Sequence, residues 1–320
     1  MAVYTEVSGE DIAAFLAQYD VGALVSLKGI AEGVENSNYL LLTDRSPYIV
    51  TLYEKRVAAE DLPYFLGLME HLAGRGVPCP TPIHGRDGKA LRELCGRPAV
   101  IVSFLEGVWP RRIQPEHCAA LGEALARLHI AGADFGMSRP NALSFAGWRQ
   151  LYAACKARAD TVQGGLCAIL EAELDHLEGA WPSDLPAGII HADLFPDNVF
   201  FEGFRITGLI DFYFSCNDFF AYDVAVCLNA WCFERYGEFN ITKASQMLSS
   251  YRGVREFSAA ELEALPRLAR GAALRFLLTR LYDLLHQVEG ALGKPKDPLE
   301  HLRKLRFHQG VSGPAAYGLT

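Results

Sequence analysis

The sequence predicts an α+β protein of two lobes, a strand-rich one over residues 1–104 and a mainly helical one over residues 105–320. Three observations carry that prediction. Up to about residue 106 the apolar runs are short, rich in β-branched and aromatic residues, and punctuated by Gly, Asn, Asp and Pro. Beyond it the apolar residues recur with helical period over long segments. Only residues 188–212 break that second pattern. Strands in one block and helices in another are the signature of an α+β arrangement, and the boundary falls near SFLEG, 103–107.

In the first lobe GALVSLKGIAE, SNYLLLTD and PYIVTLYE read as strands. AAEDLPYFLGLMEHLAGRG reads as a helix, with Leu62, Phe65, Leu66 and Met69 at helical spacing and Gly74 and Gly76 near its end. GVPCPTPI forces extended chain, because each residue before a proline is pushed out of the helical region. KALRELC and PAVIVSFLEG complete the strands. In the second lobe PEHCAALGEALARLHIAG, WRQLYAACKARAD, LCAILEAELDHLEG, AYDVAVCLNAWCFERY and the long ELEALPRLARGAALRFLLTRLYDLLHQVEG are helical, while GIIHAD, NVFF and RITGLIDF are strand-like.

Composition narrows the partners. Half of the 320 residues are apolar and 21% are charged, as in ordinary globular proteins. A net charge of −8 disfavours an electrostatic grip on nucleic acid or an anionic membrane, so a small-molecule substrate is expected. The first residues carry acid where a signal peptide needs base, and AALRFLLTRLYDLLH holds Arg275, Arg280 and Asp283, too many charges for hydrocarbon. A cytoplasmic protein is expected. The eight cysteines include no CxxC pair and read as small buried residues.

The chemistry concentrates in IIHADLFPDNVFF, residues 189–201, where His191, Asp193 and Asn198 form H-x-D-x-x-x-x-N, and in the LIDF that follows with Asp211. A carboxylate beside a substrate hydroxyl can take its proton, while an amide oxygen and a second carboxylate hold Mg²⁺ on nucleotide phosphates. Asp193 is thus the candidate base, and Asn198 and Asp211 the candidate metal ligands. Asp197 reads as an ordinary turn residue next to Pro196. Asp218 and Asp223 read as residues capping the start of a helix.

The H-x-D-x-x-x-x-N loop with its IDF resembles the catalytic and metal loops of the aminoglycoside phosphotransferase and choline kinase superfamily. GVENSNYLLLT, YIVTLYEKR, IIHADLFPDNVFF, GLIDFYFSCNDFFAYDVAVCLNAWCFE, ALRFLLTRLYD and KLRFH, spread over residues 33–308, are similar to the bacterial homoserine kinases of that superfamily. The resemblance implies a protein-kinase-like fold, with an antiparallel sheet in the first lobe and the catalytic and metal loops in the second. It implies phosphorylation of L-homoserine by ATP with Mg²⁺, on the route to threonine. His191 then becomes a brace for the loop. Phosphorylation of another small alcohol (choline, methylthioribose, an aminoglycoside) or nucleotide binding without turnover remain as alternatives.

KGIAEGVENSNY, 28–39, joins two strands with Gly29, Gly33, Asn36 and Ser37, and such a turn can bring backbone N–H groups to phosphates. Glu32 and Glu35 sit awkwardly beside an anion. The superfamily's phosphate-pairing cation is replaced here by Thr51, which leaves Lys55 or Lys28 to serve. Ser103 and Leu105 are expected to offer backbone groups to the adenine. A homoserine zwitterion needs a cation and an anion in its pocket, for which Arg280 and Asp283 are the candidates, with Trp231 lining it.

Overall fold

The computed structural model describes residues 4–30, 36–54, 58–287 and 295–319. The chain divides into two compact units, Met1–Gly107 with Thr207–Tyr213, and Val108–Ile206 with Phe214–Thr320.

The first unit is built on a five-stranded antiparallel sheet of order β1-β2-β3-β5-β4, comprising β1 Leu24–Gly29, β2 Ser37–Thr43, β3 Pro47–Leu52, β4 Arg92–Leu94 and β5 Arg97–Ser103. Residues alternate across each strand, so Tyr39, Leu41, Val50, Leu52, Ala99 and Ile101 share one face. That face packs with Ile12, Phe15 and Leu16 of a helix, α1, Gly9–Leu16. The sequence pattern gave no helix there. Ser8 caps it through a reciprocal pair with Asp11, an arrangement that satisfies two of the helix's orphan N–H groups. The expected helix forms as α2, Leu62–Gly74, with Pro63 in its first turn, where a missing N–H costs nothing. KALRELC is strand only over Arg92–Leu94.

The second unit is mainly helical. Its helices are α3 Pro115–Ala131, α4 Phe145–Cys155, α5 Ala159–Val162, α6 Leu166–Ala180, α7 Phe220–Trp231, α8 Ile241–Val254, α9 Ala259–Leu285 and α10 Leu299–Gln309. The expected single helix over 148–160 is broken between α4 and α5, and α8 was not apparent from periodicity. Short strands carry the candidate loops: β6 Ala187–Ile190 pairs antiparallel with β9 Cys216–Phe219, β7 is Val199–Glu202, and β8, Arg205–Leu209, runs into the Thr207–Tyr213 segment of the first unit. The β9 strand is a second feature the sequence did not suggest.

Two close approaches lock the helices. Gly122 of α3 lies so near α8 that a Cβ there would stand 2.0 Å from the Met247 carbonyl oxygen. Gly271 of α9 faces Trp181 and Trp148 in the same way. Among the described residues no helix is long and apolar enough to cross a membrane.

Candidate active site

In the second unit, β6 runs directly into the H-x-D loop, and the loop's shape is dictated by buried charge. Asp223, in the first turn of α7, is fully buried. Its Oδ2 accepts the His191 N–H at 2.7 Å and its Oδ1 the Ala192 N–H at 2.8 Å. The His129 Nε2 lies 3.1 Å from Oδ2, and its Nδ1 is 2.7 Å from the Tyr251 hydroxyl. Arg255 donates to that hydroxyl in turn, which leaves the Tyr251 proton for His129 and the imidazole Nε2–H for Asp223. Burial alone would push the Asp223 carboxyl up. The hydrogen bonds it accepts from His129 and from the His191 N–H instead hold it below the ordinary carboxylate value. Burial likewise keeps His129 neutral by lowering its pKa.

These contacts correct the capping reading. Phe219 occupies the N-cap of α7 without a side-chain cap, and Asp223 spends its oxygens on the loop. Asp218 accepts from the Asn141 amide at 2.7 Å and from the Phe219 N–H, and burial raises its pKa.

Ala192 adopts a left-handed backbone, φ 65°, which an L-residue with a Cβ resists. Its N–H is held by Asp223, and its carbonyl accepts from the buried Arg275 guanidinium. His191, fully buried, accepts the Asp193 N–H at its Nδ1, 3.2 Å. Two further turn bonds, Phe195 N–H to the Asp193 carbonyl and Asn198 N–H to the Phe195 carbonyl, fold the chain through a short 3₁₀ turn, Pro196–Asn198. The loop thereby brings Asp193 and Asn198 together. The Asn198 amide nitrogen donates to the Asp193 carbonyl at 2.8 Å and reaches its carboxylate at 3.3 Å. Only the NH₂ can make the first bond, so the amide oxygen is turned away from it.

Trp231 is fully buried, and its indole N–H donates to the Leu194 carbonyl at 2.8 Å. It braces the loop from beneath, contrary to the expectation that it lines a substrate pocket. Arg280 does not pair with Asp283 as their shared helix face suggested. Its guanidinium binds Glu300 at 2.6 Å and the Asp297 carbonyl at 3.3 Å, while Asp283 is half-buried on the same helix. Asp197, read as a turn residue, makes an exposed ion pair with Lys296 at 3.2 Å.

In the first unit, Asp211 follows β8 with φ 66°, a left-handed conformation that a non-glycine residue rarely adopts. Nearby, the Tyr213 hydroxyl lies 3.1 Å from that of Tyr53, whose pKa burial raises and the Asp211 charge raises further. Gly29 ends β1 opposite Tyr39. Asn36 and Ser37 are buried, and the Ser37 hydroxyl is consumed, accepting the Tyr4 and Thr5 N–H groups and donating to Glu54 at 2.6 Å. Gly33, Glu32, Glu35 and Lys55 lie outside the described residues. Thr51 is buried and donates to Asn38 at 2.8 Å. The register places Lys28 on the same sheet face, since Lys28 faces Leu40, Leu40 faces Ile49, and Asn38 faces Thr51. Ser103 spends its N–H and hydroxyl on Thr81, each at 2.9 Å. Leu105, just past β5, makes no backbone hydrogen bond to another described residue.

An aspartate and an asparagine are thus fixed five residues apart on a strand–turn–strand loop, and a buried aspartate holds that loop by its backbone. Residues 26–257 match the model of the phosphotransferase enzyme family. The homoserine kinase of Rhodospirillum rubrum is 64% identical over 320 residues, covering all of both chains, and that of Paramagnetospirillum magneticum is 63% identical, again covering all of both. The chain belongs to the phosphotransferase enzyme family and, within it, groups with the homoserine kinases. Its fold is similar to that of the amicoumacin kinase hAmiN, in a complex with AMP-PNP, Ca²⁺ and Ami (TM-score 0.70, 16% identity, 94% of this chain and 92% of that one). It is also similar to the fold of spectinomycin phosphotransferase with ADP and spectinomycin (TM-score 0.68, 13% identity, 98% of each). The protein is a kinase with a kinase-like fold.

Proposed function

We propose that the protein transfers the γ-phosphoryl group of ATP to the side-chain hydroxyl of L-homoserine, giving O-phospho-L-homoserine and ADP, on the cytoplasmic route to threonine. Whole-length identity above 60% to homoserine kinases carries the substrate. The Asp193–Asn198 loop carries the chemistry.

Asp193 orients the homoserine hydroxyl and receives its proton as the oxygen bonds to the γ-phosphorus. The bond from that phosphorus to the β-bridging oxygen breaks, and the electron pair leaves with ADP. His191, Asp223, Arg275 and Trp231 act earlier, by holding the loop in the one shape that presents Asp193. Much of the rate comes from that positioning, since the transfer asks little covalent work of the protein.

The donors suit Mg²⁺. With its NH₂ spent on Asp193, Asn198 offers an amide oxygen, and Asp211 offers a carboxylate. Oxygen donors are what a hard cation takes when phosphates and water complete its shell. Bound there, Mg²⁺ would neutralise phosphate charge. In the first unit Lys28 replaces the cation that Thr51 cannot supply, and Leu105 offers the open backbone groups for adenine. Gly29, Asn36 and the Ser37 N–H would serve the phosphates, as would Gly33, which lies outside the described residues.

The test is ADP release from ATP and Mg²⁺ with L-homoserine, choline, methylthioribose and kanamycin compared. Turnover is expected with homoserine, and Asp193→Asn should lower kcat by about 10²–10⁴ while ATP binding persists. Turnover with a different alcohol alone would replace the substrate assignment. ATP binding without any turnover would overturn the kinase reading of this site.

A further inference from the structure

Asp197 stands inside the catalytic loop, between Pro196 and the metal-site candidate Asn198. Its carboxylate and the Lys296 ammonium form an ion pair 54% and 62% exposed. A pair this exposed contributes little to stability, so folding gives no reason for bringing Lys296 to a charge on this loop. Both charges nevertheless have defined positions. The Lys296 ammonium lies 5.7 Å from the centre of the Phe195 ring, and Phe195 is two residues from Asp193. That ring is itself fixed, edge-on against Phe276 of α9 at 4.8 Å.

The segment bearing Lys296 is anchored as well. Arg280, whose side chain is mostly buried, donates to the Asp297 carbonyl and pairs with Glu300. Lys304 closes on the other Glu300 oxygen at 2.5 Å. Burial would raise the Glu300 carboxyl, but Lys304 and Arg280 together hold it at about 2, so it stays ionised. Arg280 therefore has its charge satisfied within the protein. Its contribution is to hold the backbone next to Lys296.

A hydroxyl-bearing α-amino acid carries its ammonium and carboxylate on one carbon, and in homoserine that ammonium lies roughly 5 Å from the hydroxyl at standard bond lengths. We propose that Asp197 and Lys296 read these two charges, Asp197 taking the α-ammonium and Lys296 the α-carboxylate, while the hydroxyl reaches Asp193. This rests on the homoserine reading above. A zwitterion exchanges one exposed ion pair for two charge-assisted contacts and leaves the local net charge unchanged. An amino alcohol without a carboxylate leaves Lys296 without its anion. A hydroxy acid without an ammonium leaves Asp197 facing its own repulsion. Specificity arises from the mismatched charge in each case. Arg280 is a positioning residue for Lys296.

The experiment compares kcat/KM for L-homoserine, 3-aminopropanol (its decarboxylated counterpart) and 4-hydroxybutyrate (its deaminated counterpart) in wild type, Lys296→Met and Asp197→Asn. The wild type should prefer homoserine to both. Lys296→Met should shrink the preference over 3-aminopropanol by tenfold or more and leave that over 4-hydroxybutyrate less affected. Asp197→Asn should do the reverse, with KM for ATP unchanged in both. Arg280→Met should weaken the same discrimination as Lys296→Met. Preferences within twofold of wild type in both pair variants overturn the proposal, and so does an equal loss with all three alcohols, which would make the pair a loop brace. A wild type that phosphorylates other alcohols but not homoserine removes the substrate reading and this inference with it. Homoserine turnover with unaltered discrimination removes only the inference.

Discussion

Replacing Asp223 by Asn tests whether the H-x-D loop is held by one buried charge. The carboxylate accepts the His191 N–H at 2.7 Å, the Ala192 N–H at 2.8 Å and the His129 Nε2 at 3.1 Å. An amide of the same size keeps a single acceptor oxygen and turns its NH₂ towards a donor. One charge-assisted backbone bond is lost outright, and a buried N–H is left facing another. Leaving a buried donor without its acceptor costs about 1–3 kcal/mol, and more when the acceptor was charged. Against a folding stability of about 5–15 kcal/mol, that loss is large yet survivable. It should appear in urea unfolding as a lower midpoint at unchanged slope.

Catalysis should respond separately. Ala192 is held at φ 65° against a cost of roughly 1–2 kcal/mol for a left-handed residue with a Cβ, so a loop without its anchor relaxes away from the active shape. We expect kcat per folded enzyme to fall at least tenfold, and Ala192→Gly in the same chain to recover part of it. The stabilisation also has a pH signature. The folded carboxyl lies below its unfolded value, so the gap in stability between wild type and variant should be flat above the ordinary carboxylate pKa. It should close as pH falls through the lower folded value. A loss below about 1 kcal/mol with full kcat would refute the reasoning. A large stability loss with unchanged kcat would show that Arg275 and Trp231 hold the loop without Asp223.

Acid should destabilise the protein well before its carboxylates titrate. Burial, reinforced by the charges of Lys304 and Arg270, lowers His308 to about 3. Between that value and the unfolded one the unfolded chain binds the extra proton, so stability falls as pH drops below about 6.5, by about 1.4 kcal/mol per pH unit for this group. His308→Gln should flatten the slope by that amount in urea melts at several pH values. Gly122→Ala should cost about 1–3 kcal/mol or more, because the new methyl meets the Met247 carbonyl of a neighbouring helix, and backbone cannot rotate out of the way as a side chain can. A cost below about 0.5 kcal/mol in thermal unfolding would mean that α3 and α8 part easily.

The candidate residues were legible because each of their motifs is short and continuous in the chain. H-x-D-x-x-x-x-N and IDF are local patterns, and Asp193, Asn198 and Asp211 stood out before any contact was known. The strands of the sheet were legible too, since alternation over a few residues needs no tertiary information. Helix α1 and strand β9 were not. The first is eight residues long and is held by a capping box and a facing sheet. The second consists of CNDF and becomes a strand only because Ala187–Ile190 lies beside it.

The sequence by itself determined the division into a strand-rich and a helical part, the chemical groups of the H-x-D loop and, through resemblance, the class of reaction. Tertiary structure alone decided what long-range charge and burial do with the rest. Asp223 reads as a helix cap in sequence, but 32 residues separate it from the His191 amide it binds. Trp231 reads as pocket or core and proves to brace Leu194. Arg280 reads as a substrate cation and is spent on Glu300. The physical reason is common to all three. A polar side chain takes its role from whichever opposite charge or unpaired backbone group is buried beside it. In this fold that partner is 20 to 37 residues away in the chain, beyond the reach of any local pattern.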